Sequence, residues 1–166
     1  WRETCALDDQ GHPHCWGEVD PVYSPDPQLT LSTIELGQGF GCGLTLAEGA
    51  LTCWGRDGYG QASPSEGIGY TSLSVGTGQH ACAIDAEGRA RCWGDSADGK
   101  TLAPATLIRQ VSVGRDHACA VTQEDEVRCW GVNSHGQTRA PSGAFTWVTA
   151  GPTFSCGLRA EGSLSC

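Results

Sequence analysis

Ten cysteines fall into five consecutive pairs. Cys5/Cys15, Cys82/Cys92, Cys119/Cys129 and Cys156/Cys166 are each spaced by ten residues, and Cys42/Cys53 by eleven. The pairs recur every 37 to 40 residues. A module of that length cannot bury its own apolar face, so neighbouring modules must stack to make a core. An even number of cysteines at regular spacing persists as disulfides only in an oxidising compartment, which predicts an extracellular, periplasmic or cell-surface location.

Aligned on the first cysteine of each pair, the chain reads CALDDQGHPHCWG, CGLTLAEGALTCWG, CAIDAEGRARCWG, CAVTQEDEVRCWG and CGLRAEGSLSC. The residue after the cysteine is always small (Ala6, Gly43, Ala83, Ala120, Gly157), and the next is always aliphatic (Leu7, Leu44, Ile84, Val121, Leu158). A period of two with one tight and one oily face is that of a strand packed between sheets. Gly11, Gly49, Gly88, Asp125 and Gly162 then mark a hairpin turn, because glycine supplies the positive φ such a turn needs and Asp tolerates it. Cysteines flanking the turn face each other across the strands, so each is expected to pair with its near neighbour. The hairpin units are 5–17, 42–55, 82–94, 119–131 and 156–166 of a single repeat domain spanning 1–166.

Before each hairpin except the first stands an alternating segment that ends in glycine: IELG, LSVG, VSVG and VTAG. These read as inner strands. After each of the first four hairpins comes Trp-Gly, with Trp16, Trp54, Trp93 and Trp130 in one slot expected to pack on small residues of an adjacent unit. Gly-Gln or Gly-Lys and then a proline follow in the three central units. Short strands without helical periodicity, in a chain with 24 glycines and 39% apolar residues, predict an all-β fold and specifically a β-propeller.

The run G-x-x-H-x-C-A-x-x-x-x-G-x-x-x-C-W-G-x-x-x-x-G-Q resembles the repeat of the regulator of chromosome condensation family, above all its secreted, cysteine-bearing bacterial versions. Gly76–Lys100 and Gly114–Gln137 carry the likeness best. The resemblance implies about seven blades in complete members. Five hairpins are present here, the first without an inner strand, so the chain is expected to be a five-bladed ring or a part of a larger one. Trp1 is a candidate for the tryptophan slot left empty after Cys166 if the ends meet. Trp1 is no initiator and methionine is absent, which predicts a leader or further sequence upstream.

Candidate chemistry is sparse. His80 and His117 stand two residues before a cysteine, where Glu3, Phe40 and Phe154 stand in the other units. A slot that accepts His, Phe or Glu does not preserve proton transfer, and the resemblance makes these histidines structural hydrogen-bonding groups. No nucleophile or catalytic motif is marked, so no enzymatic activity and no cofactor are expected. His12, His14, Cys15 and Cys5 could hold zinc, but other hairpins keep the cysteines without histidine. Asp57, Asp95, Asp98 and Asn133 fall in the loops after Trp-Gly, where turn formation explains them more simply than calcium. Tyr23, Tyr59 and Tyr70 lie in loops or connectors and are the expected contact residues.

A formal charge of −9 with one lysine, Lys100, disfavours nucleic acid and anionic membranes, and no apolar run is long enough for membrane insertion. The leading expectation is a secreted or cell-surface binding module that recognises a protein through its propeller loops. The resemblance supports this, since related propellers include an inhibitor of beta-lactamases and the ectodomains of Crinkly-type receptor kinases. Self-assembly into a surface fibre or stalk and a lectin-like, glycan-binding role are the alternatives. The post-tryptophan loops are unlike one another, which weighs against equivalent sugar pockets.

Overall fold

The computed structural model describes residues 3–18, 23–64 and 67–166. It is all-β, with five small antiparallel sheets, one for each cysteine pair. Blade 1 holds β1 (Glu3–Leu7) and β2 (Pro13–Gly17). Blade 2 holds β3 (Leu31–Leu36), β4 (Phe40–Thr45) and β5 (Leu51–Gly55); blade 3 holds β6 (Ser72–Val75), β7 (His80–Ile84) and β8 (Ala90–Gly94). Blade 4 holds β9 (Ile108–Val113), β10 (His117–Thr122) and β11 (Val127–Gly131), and blade 5 holds β12 (Phe145–Ala150), β13 (Ser155–Arg159) and β14 (Leu164–Ser165). In blades 2 to 5 the strands pair in chain order.

In the first four blades the two cysteines are direct cross-strand partners, as in Cys82↔Cys92 and Cys119↔Cys129. All five near-neighbour bridges are formed, with Cα atoms 4.0 to 4.1 Å apart. No cysteine is free.

The core lies between blades. Phe40, Cys42 and Leu44 of blade 2 pack with Tyr70, Leu73, Val75 and Trp93 of blade 3. Cys82 and Ile84 then meet Ile108, Val111 and Trp130, and Cys119 and Val121 meet Val148. The aliphatic residue two after the first cysteine of blades 2 to 4, Leu44, Ile84 or Val121, therefore packs against the next blade. Burying one such side chain contributes about 1.5–3 kcal/mol, which no single hairpin could collect alone. Extensive strand packing runs from each blade to the next, and among the described residues none joins blade 1 to blade 5.

Two repeated polar devices fix the spacing. At one end, the hairpin-turn carbonyl accepts the amide that opens the next blade's inner strand: Leu31 N–H to Gly11 O (2.8 Å), Tyr70 to Gly49 (3.0 Å), Ile108 to Gly88 (2.7 Å) and Phe145 to Asp125 (2.8 Å). The turn residue has positive φ in each case, +85° at Gly11 and +65° at Asp125, which aims its carbonyl outward. Along the inner strands, Ser74 and Ser112 hydroxyls accept the Val113 and Ala150 amides at 3.0 Å, and Gln110 bonds both the amide and the carbonyl of Val148. Inner strands β3, β6, β9 and β12 surround a cavity of about 320 Å³ lined by Glu35, Ser74, Gln110, Ser112 and Thr149. Burial there raises the Glu35 carboxyl above its ordinary range.

Candidate recognition surface

The strand order separates two ends of the propeller. One carries the hairpin tips. The other carries the turns between inner and middle strands together with the loops that follow Trp-Gly, because the start of each middle strand pairs with the end of the outer one, as in Phe40↔Gly55 and His80↔Gly94. The two loop sets are tied together there. Arg56, Asp95 and Val132, each the residue after Trp-Gly, donate their amides to Gly39, Gln79 and Asp116 carbonyls at 2.7 to 2.9 Å.

The post-tryptophan loops of blades 2 to 4 are braced internally. Gln61 is buried, and its Oε1 accepts the Tyr59 amide at 2.8 Å; Gln137, also buried, accepts the His135 amide at 2.8 Å. Asp57 Oδ1 accepts the Ala62 amide (2.8 Å), and Asn133 Oδ1 accepts the Thr138 amide (3.1 Å). In the middle loop Lys100 takes the glutamine's place, buried and ion-paired with Asp95 and, at 3.7 Å, with Asp116. Asp57, Asp95 and Asn133 thus spend carboxyl or amide oxygens on their own loops, which is the turn-forming role expected for them.

These braces present three exposed residues at equivalent positions, each just before Gly-Gln or Gly-Lys: Tyr59, Asp98 and His135. Tyr59 is 58% exposed. A phenol, a carboxylate and an imidazole on tied loops make one asymmetric surface, with no common pocket repeated around the propeller. Nearby on the same end, the Arg56 guanidinium lies over the Tyr23 ring at 5.9 Å.

Of the three tyrosines expected at the surface, Tyr70 is not there. It is 9% exposed and packs in the core between blades 2 and 3. Leu31, Tyr70, Ile108 and Phe145 each stand six residues before the glycine that ends an inner strand, and each sends its amide to a hairpin turn. Tyr70 fills a core slot in that series. The spacing to glycine was the signal for it, and the same kind of spacing to Gly-Gln marks His135, which sequence reasoning left out of the contact set.

The tryptophan slot also varies. Trp93 and Trp130 are each 9% exposed and donate Nε1–H to the preceding blade's loop, to Gln61 O (3.0 Å) and Lys100 O (2.9 Å). Trp54 is half-buried over Gly41. Trp16 is 54% exposed: among the described residues blade 1 has no preceding blade to cover it. Trp1 lies outside the described residues. At the other end of blade 1, Asp8 accepts amides from Gln10 and His12 and meets His14 Nε2 at 3.1 Å, which lowers its carboxyl to about 2. The Cys5–Cys15 bridge ties up the sulfurs that a zinc site would need as thiolates.

The two histidines differ. His117 Nε2 lies 2.8 Å from the Ser155 hydroxyl, whereas neither ring nitrogen of the fully buried His80 has a partner among the described residues. The hydrogen-bonding role expected of both therefore applies to His117 Nε2 alone. The reason is local: blade 5 offers Ser155 where blade 4 offers Ala118. Burial, reinforced by the charge of Lys100, lowers His80 to about 4. The unfolded chain binds that proton near pH 6.5. Stability is thus full above about pH 6.5 and falls as the pH drops toward 4, by roughly 3 kcal/mol. His80→Phe, which installs the residue found at positions 40 and 154, should flatten the fall in Tm between pH 7 and pH 4.5. An unchanged acid slope would show that His80 is not its source.

A sequence description of the regulator of chromosome condensation (RCC1) repeat matches residues 70–100 and 108–137. Blades 3 and 4 carry RCC1-type repeats. Solved structures agree with this. The ectodomain of the Physcomitrella patens receptor kinase CR4 superposes with a TM-score of 0.85 at 28% identity, covering 99% of this chain and 48% of that one. The CRINKLY ectodomain of the Arabidopsis thaliana receptor kinase ACR4 gives 0.75 at 28% identity, covering 96% and 56%. Prp20p from Saccharomyces cerevisiae, described with its binding to Gsp1p and histones, gives 0.81 at 14% identity, covering 98% and 55%, a likeness of fold alone. This chain spans about half the length of each of these chains. Among the described residues no helix is long and apolar enough to cross a membrane.

Proposed function

We propose that this chain is a non-enzymatic, extracellular, periplasmic or cell-surface recognition module that grips a protein partner with the loop end of its propeller, centred on Tyr59. The observation that carries the reading is the exposed Tyr59 side chain on a loop whose backbone is already held by Gln61 and Asp57. A rigid aromatic group that the blade does not need costs little entropy on binding. The structural neighbours support it: two are receptor kinase ectodomains, and Prp20p is described through its protein partners. Five disulfides fit the compartment.

The test is site-directed photocrosslinking on the surface or extracellular fluid of the source cells. A crosslinker at position 59, 98 or 135 should trap one protein, in competition with excess unlabelled chain, while a crosslinker at hairpin-tip Leu46 should not. Tyr59→Ser should weaken capture about tenfold or more, as for a central aromatic anchor. Equal trapping from both ends, or none, would refute the assignment.

Self-assembly is a second reading with its own observation: Trp147, Leu158 and Leu164 are exposed on blade 5. It requires sedimentation that depends on concentration, and a constant monomer mass would dismiss it. A glycan role finds less support, since the equivalent apices Tyr59, Asp98 and His135 share no chemistry.

A further inference from the structure

The cavity of about 320 Å³ that inner strands β3, β6, β9 and β12 surround is separate from the recognition surface: its lining runs from Glu35 to Thr149 and includes none of Tyr59, Asp98 and His135. Its wall is built in two tiers. Glu35, Ser74, Ser112 and Thr149 each stand two residues before the glycine that ends an inner strand, and Ser72, Gln110 and Trp147 each stand four before it. Two residues along a strand set the tiers about 7 Å apart. Most of these positions serve the fold. The Ser74 and Ser112 hydroxyls each hold an amide of the next blade, and Gln110 spends both ends of its carboxamide on Val148.

Glu35 and Trp147 break the pattern. Glu35 puts a carboxylate where blades 3 and 4 have serine, and burial is the one influence on its titration, with no charge or donor set against it. Trp147 puts an indole, 57% exposed, where blade 3 has serine and blade 4 has glutamine. Among the described residues no Lys, Arg or His lines the cavity. We propose that this cavity binds a small arylalkyl primary amine, with its ammonium on the Glu35 carboxylate and its ring against the Trp147 indole. An anion would be repelled by Glu35, and a neutral ligand would leave the half-buried carboxylate without a counter-charge. A quaternary ammonium has no N–H to give it and would find one aromatic wall in place of a cage. A primary ammonium brings three donors and a charge-assisted hydrogen bond, and an aryl ring gains from offset stacking on the indole. Once bound, the ammonium favours the ionised Glu35 that burial disfavours. The formal charge of −9 also raises the local concentration of cations.

The probe is phenethylamine, titrated into the 166-residue chain by calorimetry at pH 7 and low ionic strength and followed by backbone NMR. Saturable one-to-one binding is expected, at least about tenfold tighter than for 2-phenylethanol, which keeps the ring without the charge, or n-butylamine, which keeps the charge without the ring. The largest shifts should fall on β3 and β12. Trp147→Ser and Glu35→Ser install the residues that blade 3 carries in the same two slots, and Glu35→Gln removes the charge at constant size. Each should keep the native circular dichroism spectrum and weaken binding at least about tenfold. Absence of saturable binding, equal affinity for either analogue, shifts mapping elsewhere, or undiminished uptake by Glu35→Gln or Trp147→Ser would each overturn the assignment.

Discussion

Gly114→Ala should destabilise the chain by about 3 kcal/mol or more and lower its Tm sharply, although it adds one methyl group. A Cβ at Gly114 would sit inside the van der Waals shell of the Gly151 carbonyl in blade 5 and 2.9 Å from His117 Cε1. Gly76 faces the Gly114 carbonyl in the same manner, and a Cβ at Gly37 would lie 2.8 Å from Gly76 O. Gly37, Gly76 and Gly114 thus let blades 2, 3 and 4 each approach the next. The obstruction is backbone, not a rotatable side chain, so relief requires moving a whole blade out of contact with Val121 and Val148. Thermal unfolding followed by circular dichroism checks this. A loss below about 1 kcal/mol would mean the inner strands have slack that the close approach denies.

Reduction of all five disulfides should unfold the protein at neutral pH and room temperature. Each bridge closes a loop of about ten residues, which chain entropy values at a little under 3 kcal/mol, and five together exceed about 10 kcal/mol. That is comparable with the whole stability of an ordinary domain. The blades have little else to fall back on, since blade 1 is a two-stranded sheet among the described residues and the core is a set of thin inter-blade layers. Excess dithiothreitol should collapse the β-type circular dichroism signal and expose all ten thiols to alkylation. Retention of the native spectrum by the fully alkylated chain would place the stabilising free energy in packing instead.

Much of this architecture was legible because it repeats. Cysteine spacing, the small-then-aliphatic pair after each first cysteine, and the glycine or aspartate turn all reappear as register, inter-blade packing and turn geometry. What the sequence concealed depends on neighbours. Tyr70 looks like a loop aromatic until its spacing to Gly76 aligns it with Leu31, Ile108 and Phe145 in the core. Trp16 shares a motif with Trp130 yet stays exposed, since burial of that indole needs the loop of a preceding blade. His80 and His117 share a slot, and only the second meets a hydroxyl, because Ser155 replaces an alanine one blade away.

The loop end illustrates the same division. Gly-Gln is a structural signature: the glutamine braces the loop through Oε1 while its backbone carbonyl takes an indole N–H, as Gln61 does for Trp93. The residue just before it is free to vary, and there the chain places Tyr59, Asp98 and His135. Conserving the brace while varying the apex is how a repeated scaffold comes to carry an unrepeated surface.

The central claim is that each blade is closed by its own sulfur bridge and stacks only on its neighbours. Peptide mapping of the unreduced protein by mass spectrometry tests it most directly. The account predicts five local linkages, Cys5–Cys15, Cys42–Cys53, Cys82–Cys92, Cys119–Cys129 and Cys156–Cys166. Linkages between different hairpins, or free thiols in several of them, would contradict it.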